Sequence, residues 1–153
     1  MKINRLILIF IISTINMLAY TINIKDKIPN MILKNQFNTN KKIPLDTKLI
    51  IITFDQDISN MVIDFLKNKN NFLSKNKIVY IKRPFLINVE VLQNLFKNYS
   101  LKSLDFDVLT LSDTYINLFK EKRDFITIYE LNSHIVKNLI YLKTKEDLEE
   151  FFN

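Results

Sequence analysis

The sequence predicts a single α/β domain: a mixed central sheet with helices on both faces, ending in a β-hairpin and a helix. Three observations predict this class. A continuous β-branched run at residues 48–54 is typical of a strand buried on both faces. Strand-like and helix-like apolar spacings then alternate, which favours a partly parallel sheet. Near the C-terminus, two apolar stretches flank a short asparagine-containing turn, which indicates a hairpin.

The first half of the chain contains three predicted strands and one helix. Residues 20–24 alternate apolar and polar side chains and predict an edge strand. Residues 31–37 predict a second short strand that turns at 38–40, because asparagine tolerates left-handed backbone and the chain has no glycine. The buried strand at 48–54 leads into a helix that Asp57 is expected to cap. The apolar face of that helix is formed by Ile58, Met61, Val62, Phe65 and Leu66.

The second half continues the alternation. The asparagines at 68–71 end the helix, and residues 77–81 form the next buried strand. Asn88 is expected to cap a helix whose apolar stripe runs through 91–99, followed by a short strand at 108–111 and a short helix at 115–119. Strands at 125–131 and 135–142 form the hairpin, with its turn at Asn132 and Ser133. Thr144 and Asp147 fit a capping box that starts the closing helix.

Composition limits the chemistry of the chain. With 48% hydrophobic and 25% charged residues, its 153 residues suit one folded domain. The absence of cysteine excludes disulfides, thiolate nucleophiles and cysteine-ligated metals. The absence of glycine argues against a phosphate-binding loop for a nucleotide cofactor. The net charge of +6 is explained by the codon usage of an AT-rich bacterial genome, so no nucleic-acid partner is expected.

The first nineteen residues have the layout of a secretory signal. Lys2 and Arg5 precede an apolar run at residues 6–18, and Ala19 suits the position before a signal-peptidase cut. We therefore expect residues 1–19 to be a signal peptide and residues 20–153 to be one periplasmic or secreted domain. The alternative is an uncleaved chain anchored in the inner membrane by residues 6–18, which would be its one contact with a membrane.

The order of elements, together with two longer stretches, resembles the thioredoxin-like superfamily. The opening stretch IPNMILKNQFNTNKKIPLDTKLIIITF is similar to the start of the peroxiredoxin and thiol–disulfide reductase branch, with Gln36 matching the glutamine of that branch's turn and Asn38 standing where glycine is usual. The closing stretch FITIYELNSHIVKNLIYLKTKEDLEEFF is similar to the last hairpin and helix of thioredoxins. The resemblance implies a three-layer sandwich with a central mixed sheet and a C-terminal β-hairpin plus helix.

The chain departs from this family where the redox site would lie. The resemblance implies a reactive cysteine pair at the helix start after residue 54, where Ser59 and Val62 are the positions to compare. It also implies a cis-proline before the strand at 108–111, where Phe106 and Asp107 stand instead. No catalytic residue of the family can therefore be carried over, and the sequence argues against the family's activity.

A second interpretation rests on two carboxylates. An apolar strand followed by Asp55 and Asp57 resembles the start of haloacid-dehalogenase-like phosphatases, in which the first aspartate is the nucleophile, the second is the acid/base and Mg²⁺ bridges carboxylate and phosphate. Ser112 would then bind phosphate. The glycine usual after the pair and a later aspartate-rich metal motif are missing, so a helix cap and a solvated loop residue are the simpler roles.

Other candidate ligands are isolated. His134 is the only histidine, is expected to be exposed in the hairpin turn, and has no second histidine or cysteine to share a metal. Met31 and Met61 are too few for a copper-binding cluster. Asp105, Asp107 and Asp113 do not have the spacing of a calcium loop. We expect no cofactor and no metal.

These observations favour a non-catalytic exported domain that binds a protein or small ligand. The alternatives left open are the Mg²⁺-dependent phosphatase using Asp55 and Asp57, and a structural protein of the cell envelope.

Overall fold

A computed structural model describes residues 20–84 and 101–153. The strands in these ranges are β1 (Ile32–Lys34), β2 (Asn40–Lys42), β3 (Leu49–Thr53), β4 (Ile78–Lys82), β5 (Leu109–Thr110), β6 (Ile126–Asn132) and β7 (Ile135–Leu142). The helices are α1 (Gln56–Leu66), α2 (Phe72–Lys75) and α3 (Lys145–Phe151), with a 3-10 turn at Leu101–Ser103. The expected signal at 1–19 and the helix expected at 88–99 lie outside the described residues.

The described strands form one mixed sheet in the order β2-β1-β5-β4-β3-β6-β7. Strands β3, β4 and β5 are parallel, and β6 pairs antiparallel with β3. The hairpin β6–β7 forms one edge of the sheet and the hairpin β1–β2 forms the other. The predicted α/β class, mixed sheet and C-terminal hairpin plus helix are therefore confirmed.

Strand β3 lies at the centre because its side chains are apolar on both faces. Ile50, Ile51 and Ile52 are all fully buried, with Ile50 and Ile52 in one core cluster and Ile51 in the other. Helices α1, α2 and α3 all pack on the face of Ile51. The opposite face is covered, among the described residues, by irregular segments that contribute Ile22, Ile28, Met31, Leu111 and Phe119.

Two predicted elements are wrong. Residues 20–24 are not a strand, because only Ile22 is buried; its backbone N–H bonds Leu118 O at 2.7 Å, and the chain turns at Lys25 with φ of 76°. Residues 115–119 form turns instead of a helix, with Leu118 N donating to Tyr115 O at 3.0 Å. So short a segment does not offset the cost of nucleating a helix.

The boundaries of most other elements differ by one or two residues, and β1 ends at Lys34, three residues before the predicted end. Helix α1 begins at Gln56 with Asp55 at its N-cap, so Asp57 lies in the first turn and does not cap the helix as predicted. The hairpin turn consists of Ser133 and His134, both with positive φ, because Asn132 already pairs with Ile135. The capping box of Thr144 and Asp147 is present as predicted.

Candidate functional site

The candidate site is the place where β3 ends and α1 begins, because both sequence interpretations point to it. Asp55 has extended backbone at the N-cap, yet its carboxylate makes no cap hydrogen bond. Its Oδ2 instead accepts from the backbone N–H of Asp124 at 2.9 Å, and Asp124 has a φ of 60°. The segment before β6 is therefore joined to the start of α1.

The contact between Asp55 and Asp124 shows that the segment beside the start of α1 is not the one that was expected. The resemblance implied that residues 106 and 107 form the second half of the site, but they precede β5, which is separated from β3 by β4. Phe106 and Asp107 instead contact the β1–β2 hairpin, since Gln36 Nε2 donates to Phe106 O and Asn35 Nδ2 donates to Asp107 Oδ1. The segment that contacts the α1 start contains Asp124, because β6 is the antiparallel neighbour of β3.

A cluster of buried hydroxyl groups lies under the first turns of α1. Ser59 Oγ is 2.6 Å from Thr53 Oγ1, which is also 3.0 Å from the hydroxyl of Tyr80. The Tyr80 hydroxyl also lies 3.4 Å from the backbone oxygen of Ser59. All three side chains are 0–1% exposed. We call Thr53, Ser59 and Tyr80 the hydroxyl cluster.

The hydroxyl cluster is electrically neutral. Burial raises the pKa of Tyr80 to about 12, although the hydrogen bonds from Thr53 and Ser59 partly oppose that rise. Hydroxyl nucleophiles need a neighbouring base to be activated. The one histidine of the chain does not contact the cluster, because it lies in the β6–β7 turn, at the end of the strands opposite to the start of α1. The cluster therefore serves packing and hydrogen bonding in the core.

Ser59 and Val62 occupy the positions at which the resemblance places reactive cysteines. Both side chains are buried, at 1% and 0% exposure. Ser59 is held by the hydroxyl cluster, and Val62 belongs to the core cluster under the helices. Neither side chain faces solvent, so the helix start presents Asp55, Gln56 and Asp57 at its surface instead.

The two carboxylates of the phosphatase interpretation lie in different settings. Asp55 is partly buried and bound to the Asp124 amide, whereas Asp57 is exposed in the first turn of α1. A carboxylate in the first helical turn is stabilised by the helix dipole. Ser112 is exposed after β5, with β4 between its strand and β3. Within residues 20–84 and 101–153, no group of three or more histidine or acidic side chains could hold a metal ion.

Charged side chains lie around the place where β3 ends and α1 begins. Glu121 accepts from Arg83 at 2.8 Å and from Arg123 at 3.2 Å, and so connects the segment after β4 to the segment before β6. Lys82 lies beside Thr53 in the register of β3 and β4, and burial lowers the pKa of its amine.

The sequence pattern did not identify Thr53, Tyr80 or Asp124 as candidate residues. Thr53 and Tyr80 could have been recognised in the sequence as polar side chains within otherwise apolar strands.

The remaining predicted candidates have structural roles. His134 is only 2% exposed, which contradicts the expectation of an exposed turn residue. Its Nε2 lies 2.8 Å from Pro44 O and must donate, since a carbonyl only accepts; Nδ1 is buried with no partner in the described part of the chain. Asp105 and Asp107 precede β5 and Asp113 follows it, so the three acids do not converge.

The methionines and Asp107 complete the list of predicted candidates. Met31 is buried in the core. Burial tends to raise the pKa of Asp107, but hydrogen bonds from Asn35 and Lys41 and the charge of Lys41 hold it below its usual value. Ala19 lies outside the described residues. No described helix has the length and apolar character that crossing a membrane requires.

Comparison with solved structures identifies the architecture. A proposed protein disulfide isomerase from Bacteroides thetaiotaomicron aligns over 87% of both chains at a TM-score of 0.54 and 11% identity. A proposed thioredoxin from Neisseria meningitidis aligns over 85% of this chain and 89% of its own, at a TM-score of 0.53 and 14% identity. A cysteine-to-serine mutant of PrxQ from Xylella fastidiosa aligns over 86% of this chain and 94% of its own, at a TM-score of 0.52 and 13% identity.

The chain has a thioredoxin-like fold. At these identities the likeness shows the fold alone, and it agrees with the predicted resemblance, including the lack of redox cysteines. No family model matches the sequence. No curated protein matches it either.

Proposed function

We propose that this chain is an exported thioredoxin-like domain that has no catalytic activity and acts by binding another molecule. The observation that carries the proposal is the start of α1. There Ser59 and Val62 are buried, and the chain contains no cysteine that could act in thiol chemistry. The side chains that remain form a neutral hydroxyl cluster with every hydroxyl hydrogen bonded.

The packing of the N-terminal segment is compatible with a cut after Ala19. Tyr20 is 57% exposed, and Ile22 is the first fully buried side chain of the described residues. Lys25 N donates to Val136 O and Ile28 N donates to His134 O, both at 2.8 Å, so the segment after Ala19 is joined to the hairpin. A cut after Ala19 would leave these contacts intact.

An assay of phosphate release separates this proposal from the phosphatase alternative. We expect no Mg²⁺-dependent release of phosphate from p-nitrophenyl phosphate, and no difference between the wild type and Asp55→Asn. Asp113→Asn is a matched control, because Asp113 is exposed and lies after β5. Turnover that requires Mg²⁺ and disappears in Asp55→Asn but not in Asp113→Asn would overturn the non-catalytic function.

A further inference from the structure

A cavity of about 540 Å³ lies beside the N-terminal half of β4. Strand β5 pairs with β4 only at Ile81 and Lys82. Among the described residues, no strand pairs with Ile78, Val79 and Tyr80 on the side away from β3, and these three residues line the cavity. This volume lies within the range of roughly 300–1,000 Å³ that is usual for small-molecule pockets. We call this cavity the β4 slot.

The inner wall of the β4 slot is apolar. Leu66 from α1, Leu73 from α2 and Tyr80 from β4 contribute buried side chains to it. Phe72 and Phe106, which are partly buried, close its sides. An apolar group that entered the slot would gain dispersion contacts with these side chains, so the wall favours an apolar occupant.

The rim of the β4 slot is charged. It carries Lys41, Lys42 and Lys69 as well as Asp105 and Asp107. Lys41 is already paired with Asp107 at 2.9 Å, so these two charges compensate each other. The other charges of the rim are Lys42, Lys69 and Asp105, so the rim has a positive balance.

Lys69 places a positive charge next to the apolar wall of the slot. Its Nζ lies 5.4 Å from the ring centroid of Phe72, which itself lines the slot. A ligand that placed an apolar tail against Phe72 would therefore bring its polar end near an ammonium group. The charge balance of the rim favours an anion at that end.

We propose that the β4 slot binds a small amphiphilic carboxylate, with its apolar tail beside β4 and its carboxylate between Lys42 and Lys69. The inference rests on the proposed function, because it names the class of ligand that a binding domain of this kind takes. The slot is lined mainly by the N-terminal half of β4, the β1–β2 hairpin and α2, and it shares Tyr80 with the hydroxyl cluster.

Titration of the isolated protein with decanoate, below its micelle concentration, tests the proposal. Decyltrimethylammonium and decanol are the cationic and neutral probes of equal chain length. We expect decanoate to give saturable heat in calorimetry and to raise the melting temperature, and decyltrimethylammonium to do neither. The double variant K42E/K69E should bind decanoate about tenfold more weakly, as expected for two exposed charge contacts.

Two further variants, each checked for folding, distinguish a loss of binding from a loss of structure. Lys34→Glu makes the same charge change as Lys42→Glu alone, on the same hairpin but outside the slot, so it should bind like the wild type. Ser74→Trp adds a large side chain at an exposed position of the rim and should abolish binding. A melting curve of each variant without ligand shows whether it is folded.

Three results would overturn the inference: no decanoate binding by the wild type, equal binding of the cationic probe, or undiminished binding by both K42E/K69E and Ser74→Trp. Recovery of the ligand by mass spectrometry separates this inference from the proposed function. Chemically altered decanoate would contradict the non-catalytic function, whereas unaltered decanoate without binding would contradict the slot alone.

Discussion

At the scale of single residues, the hydroxyl cluster is the polar feature buried beneath the start of α1. Three hydroxyls satisfy one another where an apolar core would otherwise continue. A buried hydroxyl without a partner destabilises a fold by about 1–3 kcal/mol, so the three residues depend on one another. The cluster therefore contributes to the stability of the core.

The raised pKa of Tyr80 predicts a pH dependence of stability. An unfolded tyrosine ionises near pH ~10, whereas burial raises the pKa of Tyr80 to about 12. Between these values the unfolded state binds fewer protons than the folded state, so the free energy of unfolding falls as pH rises. The contribution of one tyrosine is at most about 1.4 kcal/mol per pH unit. Tyr80→Phe should make the fall less steep when urea unfolding is measured from pH 9 to 12.

Ser59→Ala is the comparison variant for this experiment, because it keeps the phenol and removes one hydrogen bond. It should lose about 1–2 kcal/mol at neutral pH but keep the steep alkaline fall. Equal slopes for Tyr80→Phe and the wild type would contradict the contribution assigned to Tyr80.

Backbone conformation at single residues was only partly predictable. Asn38 and Asn71 have positive φ, which agrees with asparagine replacing glycine in this chain. Lys25, Lys77, Asp124, Ser133 and His134 also have positive φ. Aspartate and histidine are also enriched at positive φ. Nothing in the chemistry of Lys25, Lys77 and Ser133 marks them, because tertiary contacts decide where the chain must reverse. His134 shows this directly, since its turn position places the ring against Pro44.

At the scale of elements, α3 is the clearest case of local sequence deciding structure. Thr144 Oγ1 accepts from Asp147 N at 3.1 Å, and Asp147 Oδ2 accepts from Thr144 N at 2.9 Å. Backbone N–H groups of Lys143 and Thr144 lower the pKa of Asp147. The stabilisation from this carboxylate is therefore present at neutral pH and is lost as pH falls through that lowered pKa.

Removing the cap should destabilise the whole domain, because Leu148 of α3 is fully buried in the core. We expect Thr144→Ala to lower the free energy of unfolding by about 1 kcal/mol, as measured by urea denaturation at pH 7. Lys145→Ala, which changes the next and exposed residue, is the control and should have a smaller effect. If the two variants lose the same stability, the capping box does not stabilise α3.

The β1–β2 hairpin is held by side-chain contacts across a long sequence separation. Gln36 accepts from Val108 N through Oε1 and donates to Phe106 O through Nε2, so its amide pairs with the chain just before β5. Asn35 Oδ1 accepts from the N–H groups of Phe37 and Thr39 within the turn. Gln36 was noted in the sequence for its place in a turn, but its partners were not predictable.

At the scale of the whole molecule, the predicted signal and the folded domain meet between Ala19 and Ile22. We expect the protein isolated from the cell envelope or medium to begin at Tyr20, as determined by N-terminal sequencing. Replacing Leu8 and Ile11 with arginine should keep the chain in the cytoplasm with Met1 or Lys2 at its start, because the apolar run is interrupted.

The matched control for this experiment is arginine at Ile24, an exposed position beyond the predicted cut. It should not change export. An exported wild-type chain that still begins at Met1 and remains with the inner membrane would instead support the anchor formed by residues 6–18.

The sequence by itself determined the elements whose causes are local. The β-branched run of β3, the apolar spacing of α1 and the capping box of α3 each depend on residues a few positions apart. The cysteine count likewise excluded thiol chemistry without any structure. The thioredoxin-like fold itself was predicted from the order of the elements and from the resemblance of two longer stretches to that superfamily.

Only the tertiary structure decided which elements meet. The pairing of β6 with β3 brings Asp124 to Asp55, packing of α1 on β3 and β4 assembles the hydroxyl cluster, and the shortness of β5 opens the β4 slot. Each of these depends on contacts between residues far apart in the chain. Strand order and register follow from the packing of the whole core, which no local pattern records.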